Sequence, residues 1–511
     1  MGVKLQSIVE SGLHGVLVDV ECQLTNGLPI IIIVGFANKA VDEAKERIRG
    51  AFANSELDLP RKRITINLAP ADMPKDSSSF DLAIAVSILL ASKQCKEGIP
   101  DNHLLIGELA LDGSLRPVRG IIGKLLAARK LGINHFFIPQ ANLAQSSLIP
   151  NITIYPVQNL RDMYLHLNSI SKIKPAKLSS PRTTEKTETP INDFKHVVGQ
   201  ARAKRALEIA AAGGHNVLLN GPPGTGKSML AKALPTILPA MSDEEMLEVT
   251  HLHSLASRNY ENIITERPFR APHHSASDNS IIGGGQNPRP GEISLSHRGV
   301  LFLDEFPEFH RPSIEALRQP LEDRVITVAR TKDSVQFPAH FMLIATANPC
   351  PCGYYGVANK SCVCLPHQIL KYRRKLSGPI MDRIDMYVDV DEVVHKKLLS
   401  DNDQEDSQSI SGRVDSARKK QSERYGADHK TNGDMNNQEI KRLAFLSDEA
   451  RELLNQAGEK LGISARNYMR SIKIARTIAD LENSTEIKTR HMSEALQYRR
   501  RSADVGLAIY G

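Results

Sequence analysis

Along residues 1–167, aliphatic and β-branched runs alternate with amphipathic stretches. The runs at 16–21, 30–34, 64–68, 104–109 and 135–138 predict strands, and 38–54, 80–93 and 121–131 predict helices between them. The first of these helices, NKAVDEAKERIRGAFAN, sets apolar positions against a charged face. A first α/β domain is therefore expected over 1–167. The pattern then fails. Residues 171–192 are polar, rich in Pro, Ser, Thr and Lys, and without period, so 168–193 is expected to be an exposed linker. A second domain is expected over 194–395. Residues 400–438 are rich in Asp, Asn, Gln and Ser, so 396–438 is expected to be a polar insertion, helical in part over 413–424 and otherwise mobile. Helical periodicity over 439–511 predicts a small all-α lid. There is no long internal repeat.

Composition changes this picture little. A chain of 511 residues has room for roughly three domains. It has no Trp and only 5% aromatics, which argues against a sugar-binding or aromatic-cage protein. A net charge of +7 suits a nucleic-acid partner and equally an ordinary, slightly basic soluble protein. The N-terminal sequence lacks the basic and apolar regions of a signal peptide. The longest apolar run, LPIIIIVGFA at 28–37, is too short to span a bilayer. A cytoplasmic protein without membrane contact is expected, and six cysteines in so long a chain predict no disulfide framework.

The chemistry lies in the second domain. NVLLNGPPGTGKSMLAKAL at 216–234 reads as buried strand, glycine-rich loop and helix, the context a phosphate-binding P-loop requires. Gly221, Gly224 and Gly226, with Pro222, Pro223 and Thr225 between them, let backbone N–H groups wrap phosphates ahead of Met229 and its helix. Lys227 is expected at the β- and γ-phosphates and Ser228 on Mg²⁺. GVLFLDEF at 299–306 ends an apolar strand in two acids, costly to bury unless they serve a site. Asp304 is expected to help hold Mg²⁺ and Glu305 to orient or activate the attacking water; the bland alternative is a pair of capping acids. In FMLIATANPC at 341–350 a third apolar strand ends at Asn348, whose amide can align that water. ATP and Mg²⁺ are the cofactors expected.

Cys350, Cys352, Cys362 and Cys364 form two C-x-C pairs nine residues apart, suited to a structural Zn²⁺; free thiols or a redox pair are the alternatives. Lys371, Arg373, Arg374 and Lys375 follow as a basic patch. DRVITVARTKDSVQFPAHF at 323–341 predicts a β-hairpin with a polar tip at 330–334.

The segments GEISLSHRGVLFLDEFPEF, FRAPHHSAS and ATANPCPCGYYG closely resemble the magnesium-chelatase-like AAA+ proteins. The resemblance covers nearly the whole chain. It implies an AAA+ P-loop α/β core with a helical lid, with Asn348 as sensor 1. Arg383, in SGPIMDRIDMYVDV, is similar to the arginine finger that reaches a neighbour's γ-phosphate. Arg466 resembles sensor 2, with Arg470 as the backup, on an amphipathic helix that opens at a serine cap. The hairpin would project into a ring pore, making Arg330 and Lys332 DNA phosphate contacts, and the glycine-rich 273–297 a second pore loop. The family implies a homohexameric ring that loads on DNA, single-stranded and branched, and drives branch migration during natural transformation.

The first domain resembles the proteolytic domain of Lon, in LAPADMPKDSSSFDLAIAVSILLA and GSLRPVRGIIGKLLAARKLGINHFFIPQAN. Ser79 and Lys124 fall where the nucleophile and its lysine would be. Phe80, Asp81 and Arg119 depart from the residues that dyad needs around it, so a non-proteolytic relic is expected. An ATP-dependent protease or unfoldase and a chelatase-type chaperone subunit are the alternative functions.

Overall fold

The structure, a computed structural model, describes residues 2–11, 14–35, 39–70, 78–177, 192–256, 262–285, 288–329, 334–357, 360–375, 379–392 and 404–499. The chain divides into two units, Met1–Thr184 with Ser242–Thr265, and Glu185–Met241 with Glu266–Gly511.

In the first unit, β1 (Val3–Ser11) runs antiparallel to β2 (His14–Thr25). β3 (Ile30–Val34) is followed by α1 (Lys39–Asn54), and β4 (Arg63–Ala69) completes a sheet of order β1-β2-β4-β3. Strand β4 alternates, sending Ile64, Ile66 and Leu68 into the core. Helix α2 (Asp81–Ala91) is apolar almost all round and is buried from Asp81 through Leu89, as a helix without a polar face must be. A second, parallel sheet holds β5 (His103–Leu105), β6 (His135–Pro139) and β7 (Thr153–Val157), with α3 (Ile121–Lys130) and α4 (Leu160–Leu167) alongside in sequence. Strand β1 escapes the apolar pattern because one of its inward positions is Ser7, whose hydroxyl donates to the Leu105 carbonyl at 2.8 Å.

This unit also contains a helix encoded far downstream. Asp243–Ala256 lies in sequence between two strands of the other unit, yet belongs to the first. It buries Met246, Val249 and Leu252.

The second unit is built on a five-stranded parallel sheet. Helix α5 (Ala201–Gly213) leads into β8 (Val217–Asn220), and α6 (Lys227–Ala233) follows it. Strands β9 (Phe269–Arg270) and β10 (Val300–Leu303) come next; then α7 (Arg318–Asp323) runs into an antiparallel hairpin, β11 (Val325–Ala329) and β12 (Ser334–Pro338). Strand β13 (Met342–Ala347), α8 (Pro366–Lys375) and β14 (Met386–Asp389) complete the core, whose sheet order is β9-β10-β13-β8-β14. The runs VLFL and MLIATA are buried at every position, the mark of strands covered on both faces.

The described part of 396–438 is not a loose insertion. Residues Ser407–Tyr425 form a 19-residue helix, α9, capped by Asp406 and ended by Gly426 at φ +64. Ile410, Val414 and Ala417 enter the core, and the next inward position is Gln421, whose Nε2 donates to the Ala212 carbonyl at 2.9 Å. The helix covers the expected 413–424 and begins earlier, at Ser407; with a glutamine on its buried stripe, its apolar face is weak in the sequence. Helices α10 (Asp448–Leu461), α11 (Ala465–Leu481) and α12 (Thr489–Gln497) form the expected helical C-terminal part. No described helix is long and apolar enough to cross a membrane.

Candidate active site

The register of the parallel sheet gathers the chemistry at one edge. Asn220 pairs with Ala347, and Leu303 with Ala345, so Gly221, Asp304 and Asn348 all leave the carboxyl ends of adjacent strands. Open parallel sheets bind ligands at this edge. A Cβ on Gly221 would sit 2.2 Å from the Val390 carbonyl oxygen, and Gly224 and Gly226 hold φ of +81 and +85. Only glycine suits such a path. Thr225 closes the loop by donating to the Pro222 carbonyl at 3.0 Å, and Met229 is exposed on the helix beyond.

Lys227 opens α6, its ammonium buried and donating to the Pro222 carbonyl at 2.8 Å, to Asn348 Oδ1 at 3.1 Å and to the Gly221 carbonyl. Burial pulls its pKa down to about 8 against the opposing fields of Asp304 and Glu305. The carbonyls stand where phosphate oxygens would compete. Ser228 Oγ donates to Asp304 Oδ2 at 2.9 Å, and Thr346 Oγ1 donates to Asp304 Oδ1 at 2.6 Å. A hydroxyl beside a fixed carboxylate, next to a lysine, is the donor set of a Mg²⁺-nucleotide site. When bound, Mg²⁺ spreads the phosphate charge. Glu305 sits at φ +53, held by donation of its amide to Thr346 Oγ1 at 2.9 Å. Its half-exposed carboxylate is 3.8 Å from His274 Nδ1. Thr346 and His274 escape sequence reading as site residues. The signals were there: Thr346 is a lone hydroxyl in an apolar strand, and His274 belongs to FRAPHHSAS.

Arg383 leaves the opposite edge. It closes a short turn before β14, where Val217 pairs with Met386. Asn216 stitches this edge. Its amide donates to Asp385 Oδ2 at 2.9 Å, its Nδ2 donates to the Arg383 carbonyl at 3.1 Å, and its Oδ1 accepts from the Leu343 amide at 2.9 Å. From Asn216 to Gly221 is five residue steps along and just beyond β8, roughly 16 Å. The structure thus brings Lys227, Ser228, Asp304, Glu305 and Asn348 together and leaves Arg383 apart from them. Arg383 Nη2 instead meets Glu322 Oε2 at 2.6 Å, its Nη1 donates to the Pro379 carbonyl at 2.5 Å, and its buried Nε has no partner among the described residues. Arg466, on the first turn of α11 after the Ser464 cap, meets the other oxygen of the same carboxylate at 2.5 Å. Arg470 is taken by Asp385 at 3.2 Å and by the Ile384 carbonyl at 3.1 Å.

Models of the magnesium-chelatase subunit ChlI match residues 20–142 and 193–398, and a model of its C-terminal region matches 404–499. The competence protein ComM of Haemophilus influenzae is 43% identical, over 96% of this chain and 95% of that one. The chain belongs to the magnesium-chelatase family. YifB of Salmonella typhimurium is 40% identical over the same shares, and Lon protease 2 of Syntrophobacter fumaroxidans is 28% identical over 33% of this chain and 21% of that one. Family membership makes the second unit an AAA+ core, and AAA+ chemistry implies ATP and Mg²⁺ as its ligands.

In this family member the cysteines also converge. The four sulfurs of Cys350, Cys352, Cys362 and Cys364 lie within 4.8 Å of one another, with Cys350 to Cys352 at 3.4 Å and Cys350 to Cys362 at 3.7 Å. Tetrahedral Zn²⁺ with bonds of about 2.3 Å separates its sulfurs by about 3.8 Å. The Tyr354 amide, ahead of other donors, pulls the Cys352 thiol down to about 6. Gly353, inside this knot, sits so close to the phosphate loop that a Cβ on it would lie 2.5 Å from Pro223 Cδ. In α8, Tyr372 accepts from the Asn348 amide at 3.4 Å, and Arg373 lies over the Tyr355 ring at 5.0 Å.

Arg330 and Lys332 fall outside the described residues; the hairpin arms that would carry them stand as expected. The 273–297 stretch holds two short helices, Asp278–Ile282 and Glu292–Leu295, and a two-residue strand pair. In the other unit Ser79 is 1% exposed and Lys124 4% exposed. Lys124 donates to the Arg119 carbonyl at 2.8 Å. Arg47 forks Asp81 at 2.7 and 3.2 Å, while burial pushes that carboxyl up to about 6.

Proposed function

We propose that this chain is the subunit of a cytoplasmic, homohexameric, ATP-driven DNA motor that promotes branch migration in homologous recombination during natural transformation. The observation that carries the ring is the placing of Arg383 and the P-loop on opposite edges of one sheet. Hydrolysis needs cationic help at the γ-phosphate. Arg383 is too far from its own P-loop to give it, so it serves the next subunit. Arg466, held by the same carboxylate, serves with it. Within a subunit, Lys227 exchanges carbonyl partners for phosphate oxygens, Ser228 and Asp304 take Mg²⁺, and Glu305 with Asn348 aligns the attacking water. The DNA assignment is supported by the competence protein among the relatives, by the net charge of +7 and by the basic residues Arg330 and Lys332 in the sequence between the two hairpin arms. The four cysteines would hold a structural Zn²⁺. A peptidase role for the first unit has little support, since Ser79 is buried and Asp81 is locked to Arg47.

The test is ATPase rate with single-stranded, duplex and branched DNA at fixed salt, with and without Glu305→Gln. DNA should stimulate hydrolysis several-fold, and the variant should lose it by more than about 100-fold. Mixing Arg383→Ala subunits with Lys227→Ala subunits should restore activity that neither has alone. If no DNA changes the rate but a protein substrate does, the unfoldase reading replaces this one.

A further inference from the structure

Glu322 is the one carboxylate shared by the two arginines. Its Oε2 meets Arg383 Nη2 at 2.6 Å and its Oε1 meets Arg466 Nη2 at 2.5 Å. Without it, two guanidinium groups brought to the same place would repel. The clasp is also easy to open. Glu322 is 42% exposed and Arg466 45% exposed, so water screens the pairing. Arg466 reaches it through Nη2, and the buried Arg383 Nε has no partner among the described residues. Donors therefore remain for a tighter anion.

The position of Glu322 matters as much as its charge. It lies on α7, which passes through Arg324 at φ +60 directly into β11 of the hairpin. The helix and the hairpin are pinned together by Gln319. Its Nε2 donates to Thr327 Oγ1 at 3.1 Å, and its Oε1 accepts from the Thr327 amide at 3.1 Å. A displacement of the hairpin is thus carried to the Glu322 carboxylate within about one helical turn.

We propose that Glu322 is a positioning residue for ATP hydrolysis in the neighbouring subunit, a clasp that keeps Arg383 and Arg466 together until the hairpin moves and then releases them to phosphate. The inference rests on the reading of both arginines as acting in trans. It adds that the hairpin, when it engages DNA, sets the rate next door through this one carboxylate. Coupling of this kind is reciprocal. Nucleotide that captures the arginines must in turn loosen α7 and the hairpin.

The experiment compares full-length wild type, Glu322→Gln and Glu322→Asp for ATPase kcat and KM, with and without DNA. Glu322→Gln should raise kcat without DNA several-fold and cut the stimulation by DNA to below about twofold. The KM for ATP should stay within about twofold, because the subunit's own P-loop is untouched. Glu322→Asp, which restores the charge, should recover most of the stimulation. Equal stimulation in Glu322→Gln and wild type would overturn the clasp, as would a fall in kcat both with and without DNA. If Arg383→Ala abolishes hydrolysis in those cases, the trans reading survives and only the clasp fails. If Arg383→Ala hydrolyses ATP normally, both fail together. A second measurement needs no variant. Hydrogen exchange over 318–338 in wild type should quicken when a non-hydrolysable ATP analogue is added without DNA, and unchanged exchange would overturn the proposal.

Discussion

His215 lies wholly out of water, its Nε2 2.9 Å from the Thr477 hydroxyl on α11. Burial depresses its pKa to about 4, with Asp385 and Asp434 opposing that shift and Lys473 and Arg418 adding to it. A Cβ on Gly213 would lie 2.2 Å from the same nitrogen, so the ring fills space that only a glycine there leaves open. The sign follows from the depressed value. Unfolded, the imidazole takes a proton near 6.5, whereas folded it refuses one until about 4. The stability it contributes is present above pH 6.5 and is lost as pH falls from 6.5 towards 4, on the order of 3 kcal/mol in all. Thermal melts of His215→Gln should show a flatter dependence over that window than wild type; parallel curves would assign the acid sensitivity elsewhere. At this scale the sequence is legible where neighbours in the chain act together. Lys227 and Ser228 announce themselves through the loop they end, and Asp304 and Glu305 through the apolar strand they close. Glu322 is silent, because its partners come from helix docking rather than from spacing, and the lone hydroxyl of Thr346 signals a role without naming the partner that strand register supplies.

The element that ties the cysteines to the nucleotide loop gives two more expectations. The purified protein should hold one zinc per chain by metal analysis, and Cys352→Ser or Cys362→Ser should lose it. Metal-free wild type would return the cluster to free thiols. Gly353→Ala should weaken ATP binding several-fold, for two reasons. Its φ of +86 suits no Cβ, and the added methyl would press on Pro223. A nucleotide titration reads this without any turnover. Elements with one dominant pattern were foreseeable: the buried strands, the hairpin arms at 325–338, and the helices over 439–499. Helix α9 was foreseen only over 413–424 and not as a core element, since Gln421 takes an inward place that periodicity reserves for an apolar residue. Strand β1 was hidden by Ser7 in the same way. In both, a buried polar side chain is satisfied by a distant carbonyl, which no local pattern reveals.

On the scale of the whole molecule, the decisive feature is the helix Asp243–Ala256, which the linear order of motifs assigns to the motor but the fold gives to the first unit. A fragment ending at residue 184 lacks this helix and the buried Met246, Val249 and Leu252 that it brings to the unit. Such a fragment should melt lower than one supplemented with the 242–265 peptide, and should bind an apolar dye that the supplemented fragment excludes. Equal melting would mean the helix is a passenger. The same feature has a consequence for synthesis. Chains emerge from the ribosome in order, at about 5–20 residues per second. The first unit's own sequence through Leu167 is out some 90 residues before Ala256, so roughly 5–18 s pass in which it waits, unfinished, for a segment made after the phosphate loop. For that interval the first unit stands without one of its own helices, and its maturation clock is set by translation speed between the two stretches rather than by the folding of either.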